Sequence, residues 1–141
     1  MQIFFQEKNK NNDGLFRKIE AACDGLTYIS ETDTPVLPFA GPEANDATGE
    51  MILQQTGANA DAAIEEVEFG TFFGQLTAIR DWFGDEQKAK AAKFLALQKL
   101  LEENLRDLKV YRIGSVRIDI YAVGITADGH MMGVTTKAVE T

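Results

Sequence analysis

Residues 116–139 read "VRIDIYAVGITADGHMMGVTTKAV", and this stretch decides the fold. Two apolar-rich runs flank Asp128-Gly129, a dipeptide that strongly signals a short β-hairpin. A two-residue turn at that point sets Arg117 opposite Glu140, Val123 opposite Val134 and Ile125 opposite Met132. Oppositely charged cross-strand neighbours such as Arg117 and Glu140 favour one another. Along the first run Val116, Ile118, Ile120 and Ala122 point to one face, and Tyr121, Val123 and Ile125 to the other. Both faces are largely apolar, so both need cover. The expected architecture is α+β, a three-layer α-β-α sandwich with helices on each side of a sheet.

The rest of the chain supplies those helices. Asn12 or Asp13 caps a first one. Its apolar stripe runs through Leu15, Ile19, Ala22, Cys23 and Leu26, and Gly25 stops it in the left-handed conformation. A long helix is expected near residues 86–106, capped by Asp85 and striped by Ala91, Phe94, Leu97, Leu101, Leu105 and Leu108. Glu86 suits its positive end, and Arg106 and Lys109 its negative end. The segment between these helices is weakly patterned. "TYIS" and "PVLPF" suit short extended pieces and "AIEEVEF" a strand. "TFFGQL" suits a brief helix, and "EMILQQTG" is too short to assign by period before Gly57 ends it.

One domain accommodates the 141 residues. It is expected over residues 12–141, with residues 1–11 an extension of unassigned role. There is one cysteine, so no internal disulfide forms, and the acidic balance of −8 disfavours direct binding to nucleic acid or anionic membrane. The start of the chain does not resemble a signal peptide, and no apolar run is long enough to span a membrane. A cytoplasmic protein is expected.

The catalytic inventory is thin. His130 is the single histidine, placed at the hairpin tip as a solvated turn residue, and Cys23 lies on an apolar helix face. One His and one Cys cannot build a His/Cys metal cluster. Neither a phosphate loop nor a dinucleotide fingerprint is present. No catalytic residue and no cofactor is assigned, and the chain is not expected to be an enzyme. Charge placement is more informative. Between Asp24 and Glu86 lie thirteen acids and one base, Arg80, so that segment carries −12 and the remainder +4. An acidic face of this kind steers a basic partner. Within the segment, Trp82 stands beside Asp81 at a loop-to-helix junction, where an exposed indole makes a binding anchor.

Four pieces of the chain, "DGLTYISETDTP" (24–35), "ILQQTG" (52–57), "DWF" with "DE" (81–83 and 85–86) and the whole of "VYRIGSVRIDIYAVGITADGHMMGVTTKAVET" (110–141), resemble the nuclease A inhibitor family. That family inhibits a sugar-non-specific DNA/RNA endonuclease. The resemblance spans about residues 12–141 and implies a sandwich similar to the pathogenesis-related-protein fold.

It also implies a mechanism in which the inhibitor wedges into a basic active-site cleft. Glu31, with Asp33 beside it, pairs with cations of the nuclease, and Asp81 and Trp82 pack on it. Thr141, preceded by Glu140, reaches its catalytic magnesium at the end of the last strand. The implied metal contact of Thr141 therefore exists in the complex alone. Arg80 and Gly84 depart from the family pattern and make the surroundings of Asp81 and Trp82 less negative. The alternative reading is a non-catalytic protein-binding module on the same fold with a different basic partner.

Overall fold

The computed structural model describes the backbone of residues 2–56 and 63–141, and the side chains of residues 13–52 and 63–141. The elements, in chain order, are α1 (Gln2–Cys23), β1 (Thr27–Ile29), β2 (Asp33–Pro35), β3 (Leu37–Glu43), α2 (Gly49–Thr56), β4 (Ile64–Val67), α3 (Phe69–Thr77), α4 (Asp85–Asn104), β5 (Arg106–Ile113), β6 (Arg117–Ile125) and β7 (His130–Val139). The fold is α+β. Five antiparallel strands form one sheet in the order β3-β7-β6-β5-β4, and β1 and β2 form a separate hairpin.

Alternation along β6 feeds two cores. Ile118, Ile120 and Ala122 join Ile19, Cys23, Phe72, Phe73, Phe94, Leu97 and Leu101 of α1, α3 and α4, and Leu26 just after α1. Tyr121, Val123 and Ile125 join Tyr111, Ile113, Met131 and Ile52 of α2. Each large apolar side chain so buried contributes roughly 1.5–3 kcal/mol. No helix among the described residues is long and apolar enough to cross a membrane.

The hairpin forms around Asp128-Gly129, but its loop has three residues, Ala127, Asp128 and Gly129. Thr126 N–H donates to His130 O at 2.8 Å, and Gly129 N–H to Thr126 O at 3.0 Å. Gly129 takes φ +84°, a left-handed residue closing the turn. The Thr126 hydroxyl donates to Asp128 Oδ1 at 2.6 Å and is the main cause holding that carboxyl below its usual range. The register therefore differs by one residue from that of a two-residue turn. Arg117 faces Val139 rather than Glu140, Val123 faces Gly133, and Ile125 faces Met131. A one-residue slip exchanges faces, and so Met131, not Met132, shares the core of Ile125. Val116 precedes β6 and is half exposed.

Helix ends also differ from expectation. α1 begins at Gln2, not at Asn12 or Asp13; residues 2–12 include Gln, Glu and Lys, good helix formers, and hold no proline. Gly25 stops the chain at φ +75° as expected. Cys23 is buried, and burial, with the nearby Glu20 charge as the smaller cause, pushes its thiol up to about 12. The N-cap of α4 is Gly84, not Asp85, and its N–H donates to the Gln87 side chain at 2.9 Å.

α4 ends at Asn104, and the chain passes directly into β5, an eight-residue strand. Leu101, Leu105 and Leu108 keep helical spacing into that strand, but pairing with β6 on one side and β4 on the other overrides it. Arg106 and Lys109 thus lie in β5 rather than at a helix end. Arg106 donates to Asn45 O at 2.9 Å. His130 is not a solvated tip residue. It opens β7 half-buried, with Nδ1 3.5 Å from Asp128 and Nε2 3.8 Å from Glu43.

Candidate partner-binding site

The weakly patterned segment after α1 builds one half of the site. β1 and β2 pair Thr27 with Pro35, Tyr28 with Thr34 and Ile29 with Asp33, leaving Ser30, Glu31 and Thr32 as the tip. Ser30 N–H closes the turn on Thr32 O at 2.9 Å. This hairpin is laid on β7. The Thr136 hydroxyl donates to Pro35 O at 3.0 Å, Val139 N–H donates to Ser30 Oγ at 3.0 Å, and Glu31 N–H donates to Val139 O at 3.3 Å.

The tip thereby meets the residues beyond β7. Thr141 N–H donates to Glu31 Oε2 at 2.5 Å, and Thr141 Oγ1–H donates to Glu31 Oε1 at 2.6 Å. These two bonds, that from the hydroxyl first, hold the exposed Glu31 carboxyl below its usual range. Glu140 N–H donates to Val116 O at 2.9 Å, and its carboxylate accepts from Arg112 Nη2. Arg112 also places Nε 3.3 Å from Glu65 of β4. The hydrogen bond to Glu140 is the largest cause favouring the charged guanidinium.

The connection between α3 and α4 forms the other half. Phe83 N–H donates to Arg80 O at 3.0 Å, a turn that puts Asp81 and Trp82 outward. Trp82 is 75% exposed and stands edge-on to Phe83 with ring centroids 6.0 Å apart. Phe83 faces a groove of about 210 Å³ whose walls include Thr27, Ile29, Leu76, Ala78 and Lys90. Lys90 Nζ donates to Thr27 Oγ1 at 2.9 Å, tying α4 to β1. Its burial lowers the ammonium pKa, against the opposing pull of Asp33. Two more large apolar residues, Ile29 and Ile79, are 63% and 62% exposed.

Of the residues singled out in the sequence, Glu31, Glu140 and Thr141 are thus brought together. Asp33 lies on the same hairpin, and Asp81 and Trp82 directly precede Phe83, which lines the groove. Sequence reading missed Ser30, which holds Val139 at the end of β7, Arg112, which holds Glu140 beyond it, and the exposed Ile29 and Ile79. No local signal marks Arg112, because its partners come from β4 and from the far end of the chain. Gly57, expected as a stop, lies outside the described residues.

This is an antiparallel α+β scaffold carrying an exposed indole and an acidic tip clasped to the end of its last strand. The nuclease A inhibitor-like protein family matches residues 13–141, and the chain belongs to that family. No curated protein matches the sequence.

Proposed function

We propose that this chain inhibits a sugar-non-specific DNA/RNA endonuclease, with no catalysis of its own and no direct contact with nucleic acid. Family membership supports an inhibitor, and the observation that carries the reading is the joining of Glu31 to Thr141. Two residues assigned to the partner's active site, 110 positions apart in sequence, lie in direct hydrogen-bond contact. In this reading the acidic tip, with Asp33, enters a basic cleft, and Asp81 and Trp82 pack beside it.

Thr141 is the ligand offered to the nuclease's magnesium. Its hydroxyl proton is directed to Glu31, which leaves oxygen lone pairs for a cation. A hydroxyl oxygen is a hard donor of the kind magnesium prefers.

The test is inhibition of such a nuclease by the chain lacking Thr141, and by the chain with two glycines appended after it. Each change is expected to weaken inhibition by tenfold or more, about 1.4 kcal/mol, with the melting temperature unchanged. Full potency with the appended glycines would overturn the assignment of Thr141.

A further inference from the structure

The residues beyond β7 are held from two sides. The strand's ladder with β6 ends at Val139 opposite Arg117. Residues past the last ladder pair fray unless tied down, yet Glu140 and Thr141 both have their backbone N–H groups satisfied, by Val116 O and by Glu31 respectively. On one side the Ser30–Glu31 tip takes Val139 N–H, Thr141 N–H and the Thr141 hydroxyl. On the other, Arg112 takes the Glu140 carboxylate and is itself braced by Glu65.

We propose that the Ser30–Glu31 tip and Arg112 form a two-sided clasp that sets Glu140 and Thr141 in their binding geometry before the partner arrives. This rests on the reading that Thr141 enters the partner's active site. Arg112 is then a positioning residue, and Glu31 positions Thr141 in addition to taking its own place in the partner's cleft.

The chemistry of both groups fits that task. The two oxygens of Glu31 meet two donors of a single residue, so the contact fixes both the position and the rotation of Thr141. Arg112 is the more buried partner, its side chain 18% exposed, while Glu65 and Glu140 are 70% and 50% exposed. Its planar guanidinium addresses two carboxylates from one rigid fork, which a lysine cannot do. Surface ion pairs of this kind add little to folding stability. Ordering a segment in advance instead removes an entropic cost from the binding step.

The experiment begins with the free protein, by ¹⁵N relaxation at the Thr141 amide. The wild-type order parameter is expected at the rigid-backbone level, about 0.85, falling below about 0.6 in Glu31→Ala. Glu31→Gln, which keeps a carbonyl acceptor without the charge, should retain most of the order. Arg112→Met and the milder Arg112→Lys should both loosen Glu140. Against a sugar-non-specific nuclease, Glu31→Ala and Arg112→Met should each weaken inhibition about tenfold, the scale set by ordering one residue.

Glu31→Gln should recover part of that loss, and Glu31→Ala should cost less in a chain already lacking Thr141 than in the intact chain. Unchanged Thr141 order in both Glu31→Ala and Arg112→Met would overturn the clasp. Equal losses from Glu31→Ala with and without Thr141 would show that Glu31 acts on the partner by direct contact alone, which also overturns the positioning role. The relaxation measurement needs no nuclease, so it decides the clasp even if inhibition itself fails.

Discussion

Glu31 accepts hydrogen bonds from both the backbone N–H and the hydroxyl of Thr141, at 2.5 and 2.6 Å. Both bonds favour the carboxylate over the carboxylic acid, so the folded-state pKa lies below the ordinary glutamate value of 4.5. A depressed carboxyl contributes its stabilisation fully above the unfolded value and loses it as pH falls through the folded one. Monitored by NMR, the Glu31 carboxyl should titrate below 4.5 in the intact chain and move upward when Thr141 is deleted. A midpoint that does not respond to the deletion would show that the contact is not maintained in solution.

Trp82 should behave as a surface anchor. At 75% exposure, its indole should be quenched by iodide in the free protein and protected in the complex. Trp82→Ala is expected to cost about 2 kcal/mol or more of binding, as central aromatic anchors do. Surface substitutions of this type shift folding stability by no more than about 0.5 kcal/mol. A large fall in melting temperature would instead make Trp82 a structural residue.

Association should be steered by charge. The stretch from Asp24 to Glu86 carries thirteen acids against Arg80 alone. At about 0.15 M salt, interactions beyond about 8 Å are screened. The on-rate for a basic nuclease should therefore fall steeply between low and physiological salt while the off-rate changes little. Stopped-flow association measured across that range tests this, and a flat on-rate would remove steering from the mechanism.

Gly133 should tolerate no side chain. It faces Val123 across the central strand pair, and an added Cβ would lie 2.0 Å from the carbonyl oxygen of Ala122. That neighbour is backbone within a ladder and cannot step aside without breaking pairing. Gly133→Ala is expected to lower unfolding stability by at least about 3 kcal/mol, in the tail of single-substitution effects. Urea denaturation would measure it, and a loss under about 1 kcal/mol, the centre of that distribution, would mean that the two strands separate easily.

Local pattern alone determined much of this protein. Alternation marked β6 and β7 and showed that both their faces are covered. Asp128-Gly129 marked their turn, the three- and four-residue steps marked α4, and the apolar stripe of α1 put Cys23 inside. Resemblance to the family, rather than local pattern, singled out Glu31, Asp33, Asp81, Glu140 and Thr141, and it added to the local reading of Trp82. The readings of strand, turn and helix succeed because periodicity and turn chemistry act over a few residues.

Tertiary structure decided the rest. Whether the hairpin loop holds two residues or three turns on Thr126, whose backbone and hydroxyl bonds to His130 and Asp128 close the longer loop. That choice moved Arg117 away from Glu140 and left Glu140 to Arg112. β5 was hidden because Leu101, Leu105 and Leu108 suit a helix by spacing, and strand pairing with β4 and β6 outweighs the weak helical preference of Arg106 to Ile113. The joining of Glu31 to Thr141 exists because β1 and β2 are laid across the end of β7. Contacts between segments so distant in the chain depend on how the whole sheet and its hairpin pack, and neither segment carries a local signal of the other.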